Sequence, residues 1–175
     1  MNTNSTELTP QMRRELKNHP LWNFALTLYA RPGVEKACLT LQDDAGLDVC
    51  ELLWMCWLSY HGLTLTEHAA LLLNPVRTWQ REITAPLRLQ RRTLKPLCAG
   101  NPEREKLRQT IKQAELLAEQ EALRQLEQLT YQGHVVRAQQ ATDDNWTVQA
   151  ANRVSGDAQA AYLSLDVLAS QARCN

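Results

Sequence analysis

Three aspartates stand close together before an apolar stretch, as Asp43, Asp44 and Asp48 of LQDDAGLDVCELLWMCWL. Carboxylates can bind Mg²⁺ when they share one face of a helix, at spacings of three or four residues. Gly46 interrupts the set, so the three do not lie on one helical face. Asp48 directly precedes an apolar helix with Glu51 three residues later, which is the pattern of a capping box. We therefore predict that these aspartates cap and end helices, and that the chain has no metal site and no catalytic residue.

A basic segment stands out in a chain whose 19 basic and 19 acidic residues cancel. Residues 61–97 contain six basic and two acidic residues. At helical spacing the basic residues form a predicted face for a partner, consisting of Arg77, Arg81, Arg88, Arg91, Arg92 and Lys95. Such a face can grip RNA phosphates or an acidic protein. The alternative is a solvated face that pairs with Glu115, Glu119 and Glu121 of the next helix.

Aromatic and histidine side chains form a second candidate set. A ligand pocket is one interpretation, and its predicted lining residues are Trp22, Tyr29, Trp54, Trp57, His61 and His68. Helical spacing of large aromatic residues is also typical of a buried core, where each indole N–H needs an acceptor. Two histidines can bind a metal, but no third ligand stands at a useful spacing.

Several classes of protein are disfavoured by what the sequence lacks. The five cysteines include no CxxC pair, which argues against a disulfide framework or a zinc site and favours reduced thiols in the cytoplasm. No secretory leader is visible, and the longest apolar run, Leu52–Leu58, is far shorter than the ~20 residues of a membrane span. Zero net charge argues against sequence-specific DNA binding. Without a P-loop, GxGxxG, GxSxG or HExxH motif, we expect no cofactor.

The periodicity predicts one compact all-α domain of about six helices around a central apolar helix, Asp48–His61. No convincing strand pair appears. A basic helix spans 76–97 with a kink at Pro86, and a long helix spans 102–131. The predicted division of the chain is a flexible leader (1–17), a helical core domain (18–133), an irregular loop (134–156), and a C-terminal helix and tail (157–175).

The N-terminal third resembles an uncharacterised proteobacterial family of small cytosolic proteins, a domain of unknown function. The family pattern is LWxFALxLYxxPGV, then ACLxLQDxxGxDV, then LLxxxWL. The matching residues are Leu21, Trp22, Phe24, Ala25, Tyr29, Pro32, Gly33, Cys38, Leu41, Gln42, Asp43, Gly46, Asp48 and Val49. The resemblance implies kinship without an assigned activity, and an association with ribosome-directed ATPases of the ABC type.

Two functions are consistent with these observations. The favoured one is a non-enzymatic interaction or accessory protein of the cytoplasm, whose unknown protein or ribonucleoprotein partner involves RNA, ribosomes or a regulatory ATPase. Its partner surface would combine the basic helix 76–97 with the helix 102–131. The alternative is a small-ligand binder or enzyme, with an aromatic-lined cavity in an all-helical fold of the isoprenoid-synthase type.

Overall fold

The computed structural model describes residues 7–156 and 158–173, and these residues form an all-α domain with one small sheet. The predicted fold class is confirmed. The described helices are α1 (Pro10–Asn18), α2 (Leu21–Tyr29), α3 (Val34–Asp43), α4 (Val49–Tyr60), α5 (Ala69–Leu72), α6 (Asn74–Trp79), α7 (Ala85–Leu94), α8 (Pro102–Thr130), α9 (Trp146–Ala151) and α10 (Ala158–Arg173). They outnumber the six predicted, because the predicted helix 76–97 is divided into α6 and α7, and because α1 and α9 lie in segments predicted to be a leader and a loop.

The central apolar helix is α4, as predicted. Every residue from Cys50 to Leu58 is buried, because the helix is apolar on all sides apart from Glu51 and is covered by α2, α3, α8, α9 and α10. Two indole N–H groups inside this core have acceptors. Trp54 donates to the hydroxyl of Thr130 at 2.8 Å, and Trp57 donates to the carbonyl of His19 at 2.7 Å. These bonds tie α4 to α8 and to the segment before α2.

The expectation of no strand pair is wrong. Strand β1 (Leu63–Leu65) pairs antiparallel with β2 (Val136–Ala138), and Thr64 faces Arg137 in the register. Three residues are too few to show alternation of apolar and polar side chains, and the partner strand is distant in sequence. The sheet anchors the chain after α4 to the chain after α8.

Two segments have more structure than the sequence predicted. The expected flexible leader contains α1, whose Leu16 is fully buried. The expected irregular loop contains β2 and α9, and Trp146 at the start of α9 lies in the core. Each segment is anchored in the core by an isolated apolar residue, Leu16 or Trp146, among polar neighbours. An isolated apolar residue shows no helical or strand periodicity in the sequence. Residues 1–6, 157 and 174–175 lie outside the described residues, and the division into domains stays a prediction.

Candidate partner-binding hairpin

Residues 74–130 form an antiparallel helical hairpin. Its first leg runs through α6, a π-helical turn (Gln80–Thr84), α7 and a 3₁₀ turn (Lys95–Cys98), and its second leg is α8. Gly100 adopts a positive φ of 69° in the connection, which glycine allows without steric cost. The Asn101 side chain then caps α8 by accepting the N–H of Arg104 at 3.1 Å. The sequence thus encodes a sharp reversal between the two legs.

The first leg is interrupted by a π-helical turn just before Pro86, the proline at which the sequence predicts a kink. Pro86 has no N–H to donate to the carbonyl four residues before it, and its ring crowds the preceding turn. The π-helical turn directly before α7 accommodates this defect. On the α6 side of the turn, Trp79 donates its indole N–H to the carbonyl of Ala118 in α8, at 2.9 Å. The base of the hairpin is therefore fixed on both sides of the irregular turn.

Ion pairs join the two legs. Arg88 of α7 donates to the carboxylates of Glu115 at 3.0 Å and Glu119 at 2.7 Å. Arg91, one turn further, also binds Glu115. Glu115 is only 6% exposed, so its two guanidinium partners compensate a carboxylate that is withdrawn from water. This cluster is the principal polar connection between the legs.

The two glutamates of the cluster have opposite pKa shifts. Burial alone would raise the pKa of Glu115, but the hydrogen bonds and charges of Arg91 and Arg88 outweigh it, and that pKa lies below its usual value of 4.5. Burial raises the pKa of Glu119, and its single partner, Arg88, does not compensate fully. Of these two carboxylates, Glu115 is therefore the one that stays ionised to lower pH.

A second cluster fixes the base of the hairpin to the central helix. Glu51 of α4 is buried, and it accepts two hydrogen bonds from Arg77 at 2.7 and 2.9 Å and one from Arg153 at 3.1 Å. Asp48 caps α4 by accepting the N–H of Glu51 at 2.9 Å, and its other oxygen accepts from Gln80 of the π turn at 2.9 Å. The predicted capping role of Asp48 is confirmed. In a capping box the Glu51 side chain would accept the backbone N–H of Asp48. Here the Glu51 carboxylate binds the two arginines instead.

The predicted basic face has mostly intramolecular partners. Arg77, Arg88 and Arg91 belong to the two clusters above. One guanidinium nitrogen of Arg92 (Nη2) donates to both carboxylate oxygens of Asp43 at 2.9 Å, and Arg81 pairs with its neighbour Glu82 at 3.0 Å. Lys95 is exposed, and no ion pair involves it among the described residues. Binding of a partner by these six residues stays a prediction.

The alternative, in which the basic face pairs with the next helix, holds for two of its three glutamates. Glu115 and Glu119 bind arginines of α7, as that alternative expected. Glu121 instead binds Arg124, one turn along its own helix. Asp43, one of the three aspartates before the apolar helix, pairs with Arg92. Within the described residues, no three His, Cys, Asp or Glu side chains are placed to hold a metal ion.

The far part of the hairpin lies outside the core. We call residues 85–113 the outer hairpin. No residue of α7 is buried, and the buried residues of α8 begin only at Glu115. Large apolar side chains of the outer hairpin face solvent, with exposed fractions of 67% for Leu89, 50% for Leu97 and 51% for Leu107. The outer hairpin therefore offers surface from both legs without contributing to the core.

Four exposed cations of the outer hairpin have no ion pair among the described residues, namely Lys95, Arg104, Lys106 and Lys112. The prediction missed the last three. Residues 89–113 contain seven basic and two acidic residues, a net charge of +5 in a neutral chain. A count of charged residues on both sides of the turn at Gly100, instead of one that ends at residue 97, identifies Arg104, Lys106 and Lys112. The positive surface thus belongs to both legs near the turn.

The six side chains predicted to line a pocket lie in different surroundings, and their role in ligand binding stays a prediction. Trp54 and Trp57 are fully buried core residues with satisfied N–H groups, and His68 is exposed. A cleft of about 230 Å³ lies beside Phe24 and Tyr60, and none of the six lines it. The ring of His61 packs 5.0 Å from that of Tyr60 near this cleft. Burial, together with the charge of His19, lowers the pKa of His61.

The comparisons with known proteins give a family and no activity. A family described as "Protein of unknown function (DUF2390)" matches residues 20–126, more than half of the chain. The match extends from α2 through most of α8 and so includes the whole outer hairpin. No curated protein and no solved structure matches the chain. In the part of the chain that the structure describes, no helix combines the length and apolarity needed to cross a bilayer.

Proposed function

The chain belongs to the DUF2390 family of proteins of unknown function, and we propose that it is a non-enzymatic interaction protein that holds its partner on the outer hairpin. The observation that carries this proposal is an ordered helical segment without core residues. Ordering a residue costs about 1–2 kcal/mol of backbone entropy, and burial usually offsets that cost. In the outer hairpin, ion pairs and contact between the legs maintain the order instead. An ordered segment that contributes nothing to the core can present its side chains to a partner.

RNA, a ribosome or a regulatory ATPase stays among the proposed partners. The net charge of +5 around the turn supports an anionic partner of any of these kinds. The proposed place of action is the cytoplasm, which is supported by the four described cysteines, Cys38, Cys50, Cys56 and Cys98, all with free thiols. The alternative of an aromatic-lined ligand cavity has less support, because the two most buried tryptophans fill the core.

The binding test depends on which cations are changed. Reversing Arg88, Arg91 and Arg92 to glutamate is a poor test, because Arg88 and Arg91 hold the hairpin together beside Glu115 and Glu119. The four unpaired cations are better targets. The test variant is K95E/R104E/K106E/K112E, and the control is R13E/R14E/K17E/K36E, which changes four exposed cations on α1 and α3 by the same charge.

Each tagged protein is purified from a lysate of its own cells, with and without nuclease, and co-purifying molecules are identified by mass spectrometry. We expect a partner to accompany the wild type and the control but not the test variant. Ribosomal proteins that disappear after nuclease treatment would assign the contact to RNA, and a partner resistant to nuclease would assign it to protein. Equal recovery of every partner with the test variant would contradict the proposal.

A further inference from the structure

The outer hairpin combines cations with exposed leucines. Leu97 lies in the 3₁₀ turn that begins with Lys95, and Leu107 directly follows Lys106 on α8. Phosphates and sugars offer no apolar surface to such leucines, whereas a protein helix does. Exposed leucines beside cations therefore favour a partner that presents both apolar and acidic side chains.

Features of RNA-binding surfaces are scarce here. Residues 85–113 include no Phe, Tyr, Trp or His, so the outer hairpin has no aromatic ring on which a base could stack. Arginine is the side chain suited to bidentate binding of phosphate. Among the arginines of α7, Arg88, Arg91 and Arg92 are already bound to carboxylates. Three of the four cations without an ion pair are lysines, which bind anions as point charges and not through a bidentate fork.

A second copy of the chain is a poor candidate for the partner that binds the outer hairpin. Two outer hairpins would bring two segments of charge +5 together, and like charges repel at such a contact. The remainder of this neutral chain carries the compensating negative charge, but it is spread over the other helices. Charge complementarity therefore favours a different protein.

We infer that the outer hairpin binds an acidic amphipathic helix of a partner protein. This inference rests on the proposed function. The partner's apolar stripe covers Leu89, Leu97 and Leu107, and its flanking carboxylates face Lys95, Arg104, Lys106 and Lys112. The ion-paired hairpin is already ordered before binding, so binding costs this chain little conformational entropy.

The test uses two labelled peptides of about 18 residues, above the length at which isolated helices are marginal. Both contain the same numbers of Leu, Ala and Glu. One places its leucines on a single helical face, and the other distributes them around the helix. Fluorescence anisotropy measures the affinity of each peptide for the whole protein, with single-stranded oligouridylate as the competing anion.

We expect the amphipathic peptide to bind at least about tenfold tighter than the scrambled one, the usual effect of losing an anchor contact. Affinity should fall with rising salt. The variants L89S/L97S/L107S and K95E/R104E/K106E/K112E should each weaken binding by a further tenfold or so. The control L39S/L71S/L163S changes leucines that are 42%, 73% and 63% exposed on other surfaces, and it should bind as the wild type does.

Equal binding of the two peptides, or no binding of either, would overturn the inference. Displacement of the peptide by oligouridylate, with no effect of the leucine variant, would also overturn it and assign the surface to phosphate. The proposed function would survive each of these outcomes if the charge-reversed protein still lost its cellular partner. Only retention of that partner would refute both proposals.

Discussion

Replacing Glu115 by glutamine should destabilise the hairpin strongly. The Glu115 side chain is 8% exposed, and its partners Arg88 and Arg91 are 18% and 24% exposed. Breaking a fully buried ion pair costs about 3–5 kcal/mol. Partial access of water to the arginines, and the acceptor that the amide retains, reduce this to about 2–3 kcal/mol of unfolding free energy. For a chain of this length, the expected fall in Tm is about 4–12 °C.

The assay is urea unfolding followed by circular dichroism and tryptophan fluorescence. Trp79, one of the five tryptophans, lies in the hairpin, where its indole N–H bonds to Ala118 of α8. The control is Asp166→Asn, an exposed mid-helix carboxylate with no ion pair in the described part of the chain, and it should change stability by less than about 0.5 kcal/mol. An equally small change for Glu115→Gln would refute the view that this cluster holds the legs together.

The same variant gives a dependence on pH. The folded-state pKa of Glu115 lies below 4.5, because Arg91 and Arg88 outweigh the effect of burial. Its stabilisation is therefore complete above the unfolded-state pKa and is lost as pH falls through the folded-state pKa. The stability difference between wild type and Glu115→Gln should be constant near neutral pH and shrink in acid, as the pH falls below the usual value of 4.5. A difference that grew in acid would contradict the assignment.

Three further predictions concern the cap of α4, a core tryptophan and the cysteines. Asp48→Ala removes the cap of α4 and the acceptor of Gln80, so it should cost about 1–2 kcal/mol in urea unfolding, and Asp48→Asn should retain most of that stability. Trp54→Phe loses a buried hydrogen bond and leaves a void, and we expect a loss of about 1.5–3 kcal/mol in the same assay, where no loss would contradict the packing. Of the described cysteines, half-buried Cys98 should react first with a thiol reagent, whereas Cys38, whose pKa burial raises to about 12, should react only after unfolding.

The central helix and the hairpin could be predicted from the sequence because their signals are local and repeated. The run Cys50–Leu58 is apolar on all sides, and Asn101–Pro102 marks the start of α8. The strand pair β1–β2 and the anchoring of Leu16 could not be predicted, since each depends on contacts between residues that are distant in sequence or isolated in pattern.

The candidate site was predicted in part for a related reason. Sequence gives the charge of Arg88 and Arg91 but not the direction in which each side chain points, and both point to Glu115. The unpaired cations Arg104 and Lys112 lie on the other leg, and only the folding of the turn brings them to the same end of the hairpin as Lys95. Tertiary structure thus decides which charges remain available.

Hydrogen exchange of the complex purified with its cellular partner tests the central claim most directly. Backbone amides of the outer hairpin should exchange faster in the free protein than those of α4, because none of α7 is buried. We predict that partner binding slows exchange across residues 85–113 and leaves α4 unchanged. Slower exchange confined to another surface, such as the cleft beside Phe24 and Tyr60, with residues 85–113 unaffected, would contradict a binding role for the outer hairpin.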